Sequence, residues 1–338
     1  MDTGEAEDTM TSRERIETIF SHQAADRCGF WLGCPRPETW PIYLEHFGFS
    51  EQDELRRFLG DDFCWISADS GTYKGGKTPF GWALDATVPV FADCEDAAQV
   101  KDYDWADARY LDFAVPLEAL RASGDVYRAS GMWTCFFHVV ADYFGMENYF
   151  VKMYTHPGVV DAVTERVCDF YFKANERFFQ QAGDEVDAYF FGNDLGTQLD
   201  LLVGPEQFDR FILPYVRMFA DQGHAHGYQV MMHCCGAVSK LIDRFIDAGT
   251  DALHPLQALA RGMEAENLAR RFRGRIAFCG GIDTQQLLVH GTPDDVRAEV
   301  RRVKRLLGPC LIVSPSHEAL LPNVPPENVL AMARAAVE

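Results

Sequence analysis

Residues 228–235, YQVMMHCC, place an imidazole and two thiols directly behind the apolar run Val230, Met231, Met232. Imidazole and thiolate together suit Zn²⁺, whose catalytic sites take three protein ligands and leave a fourth position open. Side chains alternate along a strand, so His233 and Cys235 project to one side and Cys234 to the other. One cysteine is therefore expected in the chemistry and the other in packing. An H-x-C pair needs a third ligand. His317, in SPSH at the end of a later apolar run, is expected to supply it, with Cys279 and Glu318 in reserve.

Other apolar runs also stop on ligand-type or polar residues: Gly192-Asn193-Asp194, His254-Pro255-Leu256-Gln257, Cys279-Gly280-Gly281-Ile282-Asp283 and Ser314-Pro315-Ser316-His317-Glu318. Chance would scatter such residues, whereas a site at one rim gathers them. Asp194 and Glu318 are expected to handle protons or to support a metal ligand. Asn193, Gln257, Trp31 and Trp133 are expected to contact substrate, the two indoles as walls of an apolar pocket. Blander roles compete at several positions. Asp194 and Asp283 are placed to cap a following helical turn, and His254 to be a core histidine bonded to backbone. The Gly280-Gly281 pair suits a tight turn. His138, His224 and His226 lie in helical pattern and read as surface or packing residues. Trp40, Tyr73, Trp82, Phe136, Phe137 and Tyr143 read as core.

The elements that position these residues follow from periodicity. From VYRASGMW at 126 onward, short apolar runs (DAYFFGND, YQVMMHCC, DALHPLQ, IAFCGGID, CLIVSPSH) alternate with helical segments such as HPGVVDAVTERVCDFYFKANERFFQQAG, GPEQFDRFILPYVRMFADQGHAHG, VSKLIDRFIDAG and TPDDVRAEVRRVKRLLG. Repeated βα order implies a parallel sheet, and at about eight units a closed (β/α)₈ TIM-type barrel with its site at the C-terminal strand ends. Earlier, CGFWLG and DDFCWIS read as strands and EQDELRRFLG as a helix. TYKGGKTPFGWALDATVPV has hairpin-like punctuation. Thr11 and Glu14 have capping-box spacing ahead of a first helix, after a disordered leader over residues 1–10. Residues 11–338 read as one α/β domain with an irregular N-terminal region. No G-x-G-x-x-G follows the first strand, so a dinucleotide fold is not indicated.

The composition narrows the function class. With 338 residues and 47% hydrophobic content the chain can bury a large core. A formal charge of −20 argues against binding nucleic acid or an anionic membrane. No basic n-region or membrane-length apolar stretch is present, which predicts a cytoplasmic protein, monomeric or homodimeric. Ten cysteines in a chain of this length are too sparse for a disulfide scaffold, and most read as reduced core residues.

The segments GNDLGTQ (192–198), HCCGAVSKLIDRFIDAGTDALHPLQ, GGIDTQ (280–285) and SPSHEALLPNVPPENVLAM (314–332) resemble the uroporphyrinogen decarboxylase superfamily, which includes corrinoid-dependent methyltransferases. The likeness covers most of the chain and is strongest after residue 185. It implies a (β/α)₈ barrel. In the methyltransferase branch it implies a zinc held by an H-x-C pair, here His233 and Cys235, and by a late cysteine whose place His317 takes. It also implies methyl transfer between a small methylated substrate, or a thiol acceptor, and a corrinoid. With the barrel occupying the chain nearly to Glu338, the corrinoid (cobalamin) is expected on a separate corrinoid-binding protein. The decarboxylase branch carries an R-Q-A-G-R signature. DRCGFWLGCPRP retains Arg27 and Arg36 but not that signature, so a porphyrin-pathway decarboxylase is the second reading. A non-catalytic binding member of the superfamily is the third.

Overall fold

A computed structural model describes residues 10–75 and 89–338. Most of the hairpin-like stretch, with Trp82, and the leader over residues 1–9 lie outside the described residues.

Eight parallel strands form the central sheet: β1 (Gly29–Phe30), β2 (Phe63–Ser67), β3 (Tyr127–Gly131), β4 (Ala188–Gly192), β5 (Gln229–His233), β6 (Ala252–Leu256), β7 (Ala277–Ile282) and β8 (Leu311–Pro315). Neighbours pair in chain order from β2 through β8, and β1 pairs with β8. The seam between β1 and β2 is closed differently. Asp62 N–H donates to Phe30 O at 2.9 Å, and the Asp62 carboxylate accepts from Phe30 N–H at 3.0 Å. Asp61 accepts from Leu32 N–H at 3.2 Å. Carboxylates thus occupy backbone hydrogen-bond positions where the strands are too short to pair. Arg15 and Arg27 balance the Asp62 charge and Arg56 that of Asp61. The result is the expected (β/α)₈ barrel.

Strand alternation divides the core in two. Met231, Phe190, Ala252, Ala277, Cys279 and Ile312 point into the barrel with Trp31 and Phe63, and helix α1 (Ser12–Phe20) adds Ile16, Ile19 and Phe20 to the same cluster. The alternate residues Val230, Met232, Cys234, Phe191, Leu253 and Val313 pack outward in the main helix-facing core. Thr11 caps α1 in the expected capping box.

Helices fill the connections, with three departures from the periodicity reading. The segment 204–227 is two helices, Pro205–Phe211 and Leu213–Ala225, separated at Ile212; Pro214 has no N–H to continue the ladder and disfavours helical geometry before it. Only Ile242–Asp247 of VSKLIDRFIDAG is helical. Thr72–Tyr73, at the start of the hairpin-like stretch, pairs antiparallel with Leu111–Asp112. All ten cysteines are free. No helix among the described residues is long and apolar enough to cross a membrane.

Candidate metal centre at the barrel mouth

The strands run parallel, so their C-terminal ends share one rim. Register sets Gly192 beside His233, His233 beside His254, and Gly281 beside Ser314. The close neighbours require glycine: a Cβ on Gly192 would lie 2.5 Å from that of His233. Beyond β5, Gly236 has φ +96°, and a Cβ there would lie 2.3 Å from the backbone of Gly196. This approach of two backbones lays the loop after β4 against the loop after β5. It delivers Asp194 to Cys235.

His233 is the hub. Its Nε2 lies 3.3 Å from Cys235 Sγ and 3.2 Å from Asp194 Oδ1, and the three donor atoms form a compact group. Cys234 is buried on the opposite face, in the helix-facing core, so the facing expected from alternation holds. Asp194 Oδ1 also accepts from Cys235 N–H at 3.0 Å. Burial alone would raise the Asp194 pKa. The hydrogen bond and charge of His233, together with the Cys235 N–H, outweigh it and hold the carboxyl well below the ordinary range. The Cys235 thiol is pushed far up by burial and by the charges of Asp194 and Glu318.

On the other side of the imidazole, Nδ1 lies 3.0 Å from His254 Nδ1 and 3.8 Å from Glu318 Oε2. His254 is fully buried, and burial followed by the neighbouring imidazoles drives its pKa well below the ordinary value. Glu318 Oε2 is buried without a hydrogen-bond partner among the described residues.

The expected site residues separate. His317 is not in either donor group; its ring centroid is 6.3 Å from that of His233, and its Nδ1 accepts from Ala319 N–H at 3.1 Å. Cys279 lies in the barrel interior, fully buried among apolar residues. Trp133 does wall the site, its ring 5.1 Å from His233 and 4.9 Å from Trp65. Trp31 is fully enclosed against Phe63 and His254, so it is floor rather than wall: it follows β1 directly and packs in the inward-facing cluster. The Asn193 amide is buried and already engaged, accepting from Phe137 N–H at 2.8 Å and donating to Thr134 O at 3.3 Å. It braces the loop after β3 against the start of helix Phe136–Phe144. Gln257 Oε1 accepts from Gly236 N–H at 3.1 Å and from Gln198 Nε2 at 2.9 Å, at the edge of the mouth. Asp283 is the helix-turn cap expected of it, accepting from the N–H groups of Gln285, Gln286 and Leu287.

Two histidines read as bland positions belong to the centre. His254 sits beside His233 in register, the last residue of β5 against the middle residue of β6. His138, on helix Phe136–Phe144, accepts from Asp194 N–H through Nε2 at 3.0 Å; burial lowers its pKa against the pull of Asp194 and Asp142. Helical periodicity carried no trace of that contact.

The donor set fits zinc. In a tetrahedral site, N/O and N/S donors are separated by roughly 3.4 to 3.6 Å. The His233–Asp194 and His233–Cys235 edges of 3.2 and 3.3 Å come within a few tenths of an ångström of that. A thiol beside two carboxylates is also an anion-rich set that a divalent cation neutralises.

A family model described as Uroporphyrinogen decarboxylase (URO-D) matches residues 87–338. A solved methyltransferase from Methanosarcina mazei superposes with a TM-score of 0.67 over 97% of this chain and 98% of its own, at 16% identity. This likeness supports the barrel fold. D-psicose 3-epimerase, solved in the presence of D-fructose, reaches only 0.35 at 11% identity over 78% of each chain and carries no further weight. Among curated proteins, none matches this chain in sequence. With three quarters of its residues matched and the barrel built as described, the chain belongs to the uroporphyrinogen decarboxylase family.

Proposed function

We propose that the protein is a zinc-dependent methyltransferase that moves a methyl group between a small methylated substrate, or a thiol acceptor, and a corrinoid presented over the mouth by a separate protein. The observation that carries this reading is the convergence of His233 Nε2, Cys235 Sγ and Asp194 Oδ1 at the C-terminal rim of the barrel. Bound there, zinc supplies Lewis acidity at an open position, favouring the thiolate form of a thiol or the departure of an alkoxide. Asp194 is the third donor in this reading, in place of His317.

The chain's own groups do the rest. His254 takes the Nδ1 side of His233 and so directs the Nε2 lone pair toward Cys235 and Asp194. His138 holds the backbone of Asp194. Trp133 shields one side of His233 from water. Glu318 Oε2, without a hydrogen-bond partner among the described residues, accepts or returns the proton that a thiol or alcohol exchanges on reaction. Arg27, one of the two arginines that recommended a decarboxylase, is engaged with Asp62 at the N-terminal end of β1, away from the mouth. That weakens the decarboxylase reading.

The test is metal analysis of the purified protein, followed by methylation of cob(I)alamin by a panel of methyl ethers, thioethers and amines and by thiol methylation from methylcobalamin. Zinc at about one equivalent with transfer in either direction is expected. Decarboxylation of uroporphyrinogen by metal-free protein would replace this reading with the second one.

A further inference from the structure

Beside the centre, a cleft of about 420 Å³ opens between the loops that follow β6, β7 and β8. Its polar lining is Gln198, Gln257, Thr284, Gln285, Ser316 and Asn323, all uncharged, with apolar walls from Leu259, Val289 and Leu321. Among the described residues, no lysine or arginine lines it. Its one carboxylate, Asp283, has both oxygens engaged by helix N–H groups. His317 forms the side nearest the centre, its Nδ1 held by the Ala319 N–H.

The charge balance is one-sided. Among the described residues, the ion-pair partners of Asp194 and Glu318 are histidines, namely His233 for both and His317 for Glu318. A divalent ion at the centre would be offset by the Cys235 thiolate and the Asp194 carboxylate. It would leave no surplus positive charge for a second anion. A substrate bearing a carboxylate, sulfonate or phosphate would enter this cleft without a counter-charge and against two carboxylates. Hydrogen bonding, by contrast, is on offer: the Gln257 Nε2 and the side-chain amides of Gln285 and Asn323 make no hydrogen bond among the described residues, and each lines the cleft.

We infer that the cleft selects an uncharged, hydrogen-bonding substrate body, of the alcohol, amide or polyol kind, and rejects molecules whose non-reacting end is anionic. This inference rests on the methyl-transfer reading for the identity of the reacting end, and on the cleft lining alone for the charge preference.

The test uses two thiols that differ only at the far end, mercaptopropanol and mercaptopropanesulfonate. Sulfonate is a weak metal ligand, so direct coordination does not mask the effect of charge. Binding to the zinc-replete, full-length protein is measured by calorimetry, and thiol methylation from methylcobalamin is followed separately. The neutral thiol is expected to bind at least tenfold more tightly, about 1.4 kcal/mol. Gln285→Lys, at an exposed lining position, should raise affinity for the sulfonate at least tenfold and leave the zinc content unchanged. Equal or tighter binding of the sulfonate by wild type overturns the inference, as does an unchanged sulfonate affinity in Gln285→Lys or failure of both thiols to bind. Binding with the expected preference but without methyl transfer leaves the charge selection standing and counts against the methyltransferase reading alone.

Discussion

His233 and His254 face each other through their Nδ1 atoms at 3.0 Å, side by side in register on adjacent strands. One nitrogen must donate and the other accept. For His233 to offer an Nε2 lone pair to the Asp194–Cys235 group, its proton must sit on Nδ1, which makes His254 the acceptor there and places the second proton on His254 Nε2. That atom has no hydrogen-bond partner among the described residues. The pair therefore ties the tautomer of His233 to a neutral, buried neighbour.

His254→Phe, which keeps the ring volume but removes the acceptor, should lower zinc affinity by roughly 10- to 100-fold without abolishing binding. Competition against a chromophoric chelator measures it. An affinity equal to that of wild type would show that His254 does not orient His233.

The donor set is tested by four variants in parallel. Cys235→Ser and Asp194→Ala should lose most of the bound zinc, whereas Cys234→Ser and His317→Ala should keep it. Cys234→Ser should instead lose roughly 1 kcal/mol of stability, because its thiol is buried in the helix-facing core. Zinc content of the purified proteins decides. Metal loss in His317→Ala with retention in Asp194→Ala would restore His317 as the third ligand.

The two tryptophans should part company. Trp31→Ala removes a fully buried indole from the barrel floor and should cost roughly 3–5 kcal/mol in denaturant unfolding. Trp133→Ala, at the partly open wall beside His233, should cost less in stability and more in methyl-transfer KM. Equal stability losses with no change in KM would remove Trp133 from the substrate wall.

His224 provides a pH signature remote from the centre. Its hydrogen bond to Asp251, at 2.9 Å, raises its pKa above the ordinary 6.5 despite partial burial. The native state thus holds this proton more tightly than the unfolded chain does. The stabilisation is fully present below pH 6.5 and is lost as pH rises through the raised native value. The pair is solvent-screened, so the contribution is below about 1 kcal/mol. Relative to His224→Gln, wild type should be the more stable protein below pH 6.5, with the difference shrinking above it. Chemical denaturation at several pH values measures this, and a difference independent of pH would rule it out.

The barrel, the rim and the facing of the triplet were legible in the sequence, because each depends on a local period. Two-residue alternation sends His233 and Cys235 to one side and Cys234 to the other, and βα order makes the strands parallel, so ligand-type residues at strand ends must share a rim. Which of those residues meet was decided only by tertiary structure. Asp194 reaches Cys235 because Gly196 and Gly236 let two loops touch, a contact between residues 40 positions apart that no periodicity encodes. His317 shares the rim but has its Nδ1 turned to its own backbone, and Trp31 shares the barrel but points into its floor. Asn193 is engaged by Thr134 O just before helix Phe136–Phe144 and by the Phe137 N–H in its first turn. Local pattern determines which face a side chain takes; the meeting of faces from separate strands and loops depends on register, close backbone approach and competing hydrogen bonds, which exist only once the barrel has closed.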